Sequence, residues 1–207
     1  MKVKGFKDTI DWYDNNAEAY AQAVAKEPID LINRFVSLLP KNSAVLDAGC
    51  AAGRDSKLLH ERECSVTGID ISKGLLKVAR DRYPHIRFVY GDMRDMPFSD
   101  NQFDGIWAHA SFVHFDTIDD VKKALHECRR VLKKGGAIHL YVKEQQGREE
   151  TAVVSDKLSG HDRFFRYYAE DGLKKLMKEV EFSTIDLERK SDPNRRKEIT
   201  WLSVFAS

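Results

Sequence analysis

Val45 to Asp55, reading VLDAGCAAGRD, holds the densest group of residues able to do chemistry. Asp47 is a carboxylate at the tip of a short apolar strand. Gly49, Ala51 and Gly53 follow at alternate positions in a tight turn, ahead of a helix over 56–61. A strand end, a small-residue turn and a helix amino terminus let a ligand touch backbone directly, because no side chain beyond a methyl fills the space. The spacing D-x-G-x-A-x-G is not the dinucleotide fingerprint GxGxxG, and Arg54-Asp55 stands where a phosphate-binding loop carries Lys-Ser or Lys-Thr. A second group lies farther on. His109 and His114 follow an apolar strand over 103–108, and each is a candidate to accept a proton or to pack a loop. Their spacing is not HExxH and no carboxylate accompanies them, so no metal site is indicated. Lys143, Arg163 and Arg166 are cations near the expected mouth of the site and suit an anionic ligand, with pinning of the surrounding segment as the other reading for Arg163.

Alternating elements must position these groups. Apolar residues at steps of three and four predict amphipathic helices over 8–25, 28–39, 73–82, 119–132 and 170–180. Apolar runs predict strands at 64–69, 86–90, 103–108 and 137–142, then two more at 182–187 and 199–205. Helices and strands in alternation give a doubly wound α/β fold. Asp70 ends the second strand near the roughly 20-residue offset at which an acidic residue meets a ribose, though it could also cap the helix that starts near Ser72. Between 143 and 168 the periodicity is lost; the segment is polar, then aromatic, and reads as a long functional loop. His126 and His139 read as structural, and His161 is undecided. Arg195, Arg196 and Lys197 read as a solvated turn.

Composition bounds the function. With 207 residues the chain fits one domain, and 34 basic against 33 acidic residues leave a net charge of +1, which argues against an electrostatic nucleic-acid binder. Cys50, Cys64 and Cys128 form neither a disulfide framework nor a zinc pattern. No apolar run reaches the length of a membrane span and no signal-peptide core is present, so a cytoplasmic protein is expected.

The turn resembles the first motif, D-x-G-x-G-x-G, of the class I S-adenosylmethionine-dependent methyltransferases, with Ala51 at the middle glycine. VLKKGGAIHL at 131–140 resembles the helix-GG-strand signature of the small UbiE-like, methyltransferase-11-type members. The resemblance covers about residues 43–206. It implies a Rossmann-like seven-stranded, mostly parallel sheet with the last strand antiparallel, in a three-layer α/β/α sandwich. It also implies one methyltransferase domain over 1–207, with a helical cap at 1–40 and a lid at 144–168. The implied cofactor is S-adenosylmethionine, with S-adenosylhomocysteine as product and no metal. Asp47, Gly49, Cys50, Ala51 and Gly53 would shape its methionine end, Asp70 would hold ribose, and Ile71, Asp92 and Met93 would meet adenine, with Asp95 as the fallback acid. Ala108 and His109 would line the transfer centre, with His109 and His114 as candidate catalytic groups. Tyr13 and Tyr20 are the family's amino-terminal aromatic candidates, Tyr20 for the cofactor and Tyr13, with Lys143 and Arg163, for the acceptor. The implied activity is methyl transfer to a small molecule. An RNA methyltransferase and a non-catalytic cofactor-binding partner protein are the alternatives.

Overall fold

The computed structural model describes residues 5–23, 27–156, 161–183, 185–192 and 199–207. Seven strands form one sheet in the order β3-β2-β1-β4-β5-β9-β8: β1 is Ala44–Ala48, β2 Ser65–Asp70, β3 Arg87–Tyr90, β4 Phe103–His109, β5 Leu132–Lys143, β8 Ile185–Ser191 and β9 Thr200–Ala206. The first five pair in parallel, and β9 enters antiparallel between β5 and β8. Strand order reverses beside β1, between β2 and β4, and in such sheets the crevice at the carboxyl ends of these strands is where ligands bind.

Alternation along the strands feeds two apolar layers. Leu46, Ala48, Ile106, Ala108, Ile138 and Leu140 face a core with α6 (Ile118–Val131) and α7 (Glu170–Glu179). Val45, Trp107, Ala137 and Phe205 face the opposite core with α3 (Ile29–Ser37), α4 (Arg54–His60) and α5 (Lys73–Arg82). Burial on both faces is what an all-parallel centre requires. Caps mark the helix starts: Ser72 Oγ accepts from Leu75 N, and Thr117 Oγ1 accepts from Asp120 N.

Three sequence expectations are corrected. The helix expected over 8–25 is two, α1 (Phe6–Asn15) and α2 (Ala17–Ala23), because Asn16 turns its own amide side chain back onto Trp12 O. Gly135-Gly136 does not close α6. The pair lies inside β5, where the register against β4 shifts, and a side chain at 136 would meet Asp104 O at 2.8 Å. The segment after β5 is not a structureless loop. It contains an antiparallel hairpin, β6 (Thr151–Asp156) with β7 (His161–Arg166), forming its own two-stranded sheet. Its aromatic residues are the reason: the adjacent Phe164 and Phe165 point to opposite faces of the hairpin, and both are buried. The triplet Arg195, Arg196 and Lys197 lies outside the described residues. Among those residues no helix is long and apolar enough to cross a membrane.

The amino-terminal helices are fixed by specific bonds. Asp14 Oδ1 accepts from Ser72 Oγ at 2.6 Å and Gly74 N at 2.9 Å, seating α1 on the start of α5. Gly74 has to be glycine here, since a Cβ would fall 2.4 Å from Asp14 O.

Candidate active site

A cavity of about 790 Å³ opens at the carboxyl ends of β1, β2, β4 and β5, within the range of small-molecule sites. One wall is the turn after β1. Gly49, Ala51 and Gly53 all have positive φ, at 81°, 48° and 82°. Alternating left-handed residues turn successive amides, and Gly49 N and Cys50 N both reach Ile69 O, at 2.8 and 3.0 Å. A Cβ at Gly49 would fall 2.3 Å from Ser111 Cβ, so this glycine is what brings the loop after β4 against the turn.

Three carboxylates sit around this turn, Asp47 and Asp55 buried and Asp70 half-buried. Asp47, 2% exposed, accepts from Ser56 Oγ at 2.5 Å. Burial and the neighbouring Asp55 charge push its carboxyl up to about 8. Asp55 is held below the usual range despite its burial, because Arg54 Nε donates at 2.6 Å and Trp107 Nε1 at 2.9 Å. Two environments thus place the proton on Asp47 and the charge on Asp55. Asp70 accepts from Ala51 N through Oδ2 and from Ser72 N through Oδ1, each at 2.8 Å. Its carboxyl is raised by burial, against the pull of those amides.

The opposite wall comes from β4, β5, α1 and the hairpin. His109 stacks on Tyr141 at 4.4 Å and 7°, and Tyr141 stacks on Trp201 at 4.7 Å and 4°, a face-to-face pile of rings across β4, β5 and β9. Burial holds the His109 imidazole down at about 4, with Asp55 and Arg54 acting on it in opposite senses. His109 Nδ1 and Ser111 Oγ are buried and have no partner among the described residues. His114 Nδ1 lies 3.0 Å from Phe164 O and Nε2 lies 3.2 Å from Tyr13 Oη. Arg163 donates to that same hydroxyl at 2.7 Å. The Arg163 guanidinium lies 5.3–5.9 Å from the ring centres of Phe165, Trp12, Tyr13 and Tyr20. Lys143, 5% exposed, places Nζ 3.1 Å from the centre of Phe165.

The cavity brings together Tyr13, Tyr20, Asp47, Gly49, Cys50, Ala51, Asp70, Ile71, Asp92, Met93, His109, His114, Lys143 and Arg163. Gly53 and Ala108 lie outside its lining. Gly53 faces Phe88 and Tyr83 and opens α4 from a left-handed conformation, while Ala108 points into the core at 0% exposure. Arg166 is also elsewhere, buried and donating to Phe115 O and Asp116 O. Asp92 is in the wall, but both its oxygens are engaged by the Arg94 side chain at 2.6–3.0 Å; Asp95 is exposed and outside the lining. His139 is buried on Ser203 Oγ at 3.2 Å. Sequence reasoning missed Asp55, Trp107, Ser111, Phe165 and the Tyr141–Trp201 pair. The alternation in HLYVK places Tyr141 and Lys143 on one strand face and was a usable signal; nothing local marks Ser111.

Strand order, glycine turn and acidic strand ends together define a class I methyltransferase architecture. Residues 46–140, from β1 to β5, match the methyltransferase domain family. Over 189 residues the chain is 31% identical to a candidate methyltransferase of Encephalitozoon cuniculi, covering 84% of this chain and 87% of that protein. It is 31% identical over 133 residues to demethylmenaquinone methyltransferase of Renibacterium salmoninarum, covering 64% of this chain and 54% of that protein, so it spans little more than half of that relative's length. The Burkholderia thailandensis 1,6-didemethyltoxoflavin-N1-methyltransferase, solved with 1,6-didemethyltoxoflavin and S-adenosylhomocysteine, shares the fold with a TM-score of 0.74 at 21% identity, over 97% of this chain and 85% of that one. The chain belongs to the methyltransferase-domain family and is an S-adenosylmethionine-dependent methyltransferase. The family match ends at β5, whereas α1, the hairpin and β9, which build the opposite wall, lie outside it.

Proposed function

We propose that the chain acts as a single unit that methylates a small molecule, with an anion as the favoured acceptor. One observation carries the size of the acceptor. The far end of the cavity is roofed by α1 and the hairpin, and these are bonded to each other through Tyr13, His114 and Arg163, with Phe164 N also donating to Thr9 Oγ1 at 3.2 Å. Such a roof admits a small molecule and excludes a nucleic-acid strand. In this reading α1–α3 are the cap and the hairpin is the lid.

The residues fit the methyl donor. Ser111 Oγ, without a partner among the described residues, lines the cavity beside acidic strand ends, which suits a ligand carrying both cationic and hydroxyl groups. When bound, S-adenosylmethionine supplies a methyl on a cationic sulfur. Asp70 retains lone pairs beyond the two amides it accepts, enough for a ribose diol. Asp92, fixed by Arg94, and Met93 with Ile71 would flank adenine, while Tyr20 and the turn from Asp47 to Ala51 would enclose the methionine end. Orientation of the acceptor in line with the methyl can lower the barrier by about 7–11 kcal/mol. His109, neutral and with Nδ1 unpartnered among the described residues, would accept the proton of a hydroxyl acceptor. His114 has both nitrogens engaged and is assigned to holding the roof.

Calorimetric titration with S-adenosylmethionine and S-adenosylhomocysteine tests the donor half, and micromolar binding is expected. Binding without turnover on acids, phenols, amines and thiols would point to a non-catalytic module, and methylation of transfer RNA would overturn the small-molecule reading.

A further inference from the structure

We propose that Asp55 is a positioning residue for His109: its buried carboxylate holds the Trp107 indole alongside the imidazole and supplies the negative charge that an imidazolium there requires; this rests on the base role given to His109 above. Asp55 is 7% exposed and both its oxygens are fixed, Oδ1 by Arg54 Nε at 2.6 Å and Oδ2 by Trp107 Nε1 at 2.9 Å. Trp107 is fully buried, and besides this bond it packs on Phe35 at 5.4 Å and on His139 at 4.1 Å. Two residues along the same face of β4, His109 lies parallel to the indole within 4° at 5.4 Å. Carboxylate, indole and imidazole thus form one chain of contacts from α4 to β4.

Charge is the second observation. His109 takes the proton of an acceptor hydroxyl while that oxygen bonds the methyl and the methyl–sulfur electron pair stays with sulfur, so the positive charge moves from sulfur to the imidazole. A cation in a buried setting needs an anion near it. Asp55 and Arg54 on α4 act on His109 in opposite senses, and His139 and Tyr141 on β5 stack against it. Lys143 follows on the same face of β5 with its ammonium on the Phe165 ring, and β1 adds Asp47, in register with Trp107. Burial keeps His139 and Asp47 neutral and Tyr141 protonated, and Arg54 and Lys143 are cations, which leaves Asp55 as the anion of this group. His109 Nδ1 has no partner among the described residues, so the carboxylate acts through its field and the indole rather than through a direct bond. A role confined to pairing with Arg54 would also bury Asp55, but the two roles differ in the sign of their effect on His109.

The test follows the His109 imidazole by NMR titration in protein saturated with S-adenosylhomocysteine, with His109→Ala to assign its signal. In the parent the midpoint is about 4. Asp55→Asn keeps an oxygen for the indole and removes the charge, so the midpoint should fall by about 0.5 pH unit or more. Replacing a merely structural Asp55 would loosen the packing and admit water, and the midpoint would rise toward the ordinary value near 6.5. A rise or no change therefore overturns the assignment of Asp55. Should an unpaired Arg54 unfold that variant, seen as loss of S-adenosylhomocysteine binding, the comparison moves to the Arg54→Gln background. There the double variant with Asp55→Asn should titrate lower than Arg54→Gln alone, and an equal or higher midpoint overturns the assignment. Unchanged kcat in His109→Ala would remove the base role and this one with it, whereas a midpoint that does not fall removes Asp55 alone.

Discussion

The hydroxyl of Tyr13 on α1 meets Nε2 of His114 at 3.2 Å, joining residues 101 apart in the chain. The direction of this bond follows from its neighbours. Phe164 O can only accept, so His114 Nδ1 carries the proton and Nε2 is the acceptor; Tyr13 donates to it and takes Arg163 on a lone pair. His114 is neutral in this arrangement, its imidazole pushed down to about 3 by burial and by the fields of Arg163 and Lys143.

Tyr13→Phe leaves a buried imidazole nitrogen and a guanidinium donor without their shared partner. The expected loss is about 1–3 kcal/mol. Thermal denaturation should show a midpoint lower by roughly 2–4 °C per kcal/mol lost. S-adenosylhomocysteine affinity should change little, because the glycine turn is untouched. An unchanged midpoint would mean that the hydroxyl does not tie helix to hairpin.

His109 is predicted to act as a neutral base. With its imidazole near 4, it is deprotonated at all pH values well above that, so the rate with a saturating hydroxyl acceptor should be flat in this group from about pH 5.5 upward and fall toward pH 4. His109→Ala should lower kcat about 100-fold, at the low end of general-base effects, because so depressed a base abstracts protons weakly. A variant with unchanged kcat and pH profile would leave the residue with packing alone.

Ala51 is the departure from the glycine pattern, and its φ of 48° explains what that departure costs. The left-handed conformation is unfavourable by about 1–2 kcal/mol for a residue with a Cβ, while glycine loses roughly 0.5–1 kcal/mol more chain entropy on folding. Ala51→Gly should therefore stabilise the protein by about 0.5–1 kcal/mol in a urea titration. Ala51→Val, branched at the same φ, should destabilise it by more than 1 kcal/mol. A destabilised glycine variant would contradict this account of the turn.

The carboxyl of Asp47 is raised in the folded chain from the usual value near 3.9 to about 8. Below pH 4 it is protonated in both states. Between about 4 and 8 the unfolded chain releases the proton while the folded chain keeps it, so stability falls as pH rises through this window and levels above it. Asp47→Asn mimics the protonated form and removes that slope. The difference in melting midpoint, variant minus parent, should grow from pH 5 to pH 8. A pH-independent difference would mean that the Asp47 carboxyl is not raised in the folded chain.

The sheet and the cavity wall at the ends of β1, β2 and β3 were legible because their signals are local. Small residues at 49, 51 and 53, an acid at the end of β2 and a tripeptide after β3 each sit on one element, and periodicity alone gives their neighbours. The acceptor half was not legible in the same way. Tyr13, His114 and Arg163 could each be named, but their convergence depends on a hairpin whose strands the polar start of 144–168 conceals. Ser111 and Asp55 are ordinary residues until Gly49 and Trp107 come against them in space. The family resemblance puts Gly53 in the first motif and Ala108 at the exit of the fourth strand, whereas the left-handed start of α4 and the strand alternation turn them away from the cavity.

Asp70 offers the strictest test of the donor half. Its two oxygens bridge the turn after β1 to the start of α5 through Ala51 N and Ser72 N. A carboxylate that also binds a diol makes the shape of the turn and affinity for the ribose depend on one residue. Asp70→Ala should abolish measurable S-adenosylhomocysteine binding and lower stability by about 2–4 kcal/mol, since two buried amides lose charged acceptors. Asp70→Asn keeps one acceptor oxygen, so it should recover most of the stability while binding at least about 10-fold more weakly than the parent. The separation of the two effects is the informative result. If the alanine variant binds as tightly as the parent, Asp70 does not hold the cofactor, and the acid at the end of β2 serves only to join turn and helix.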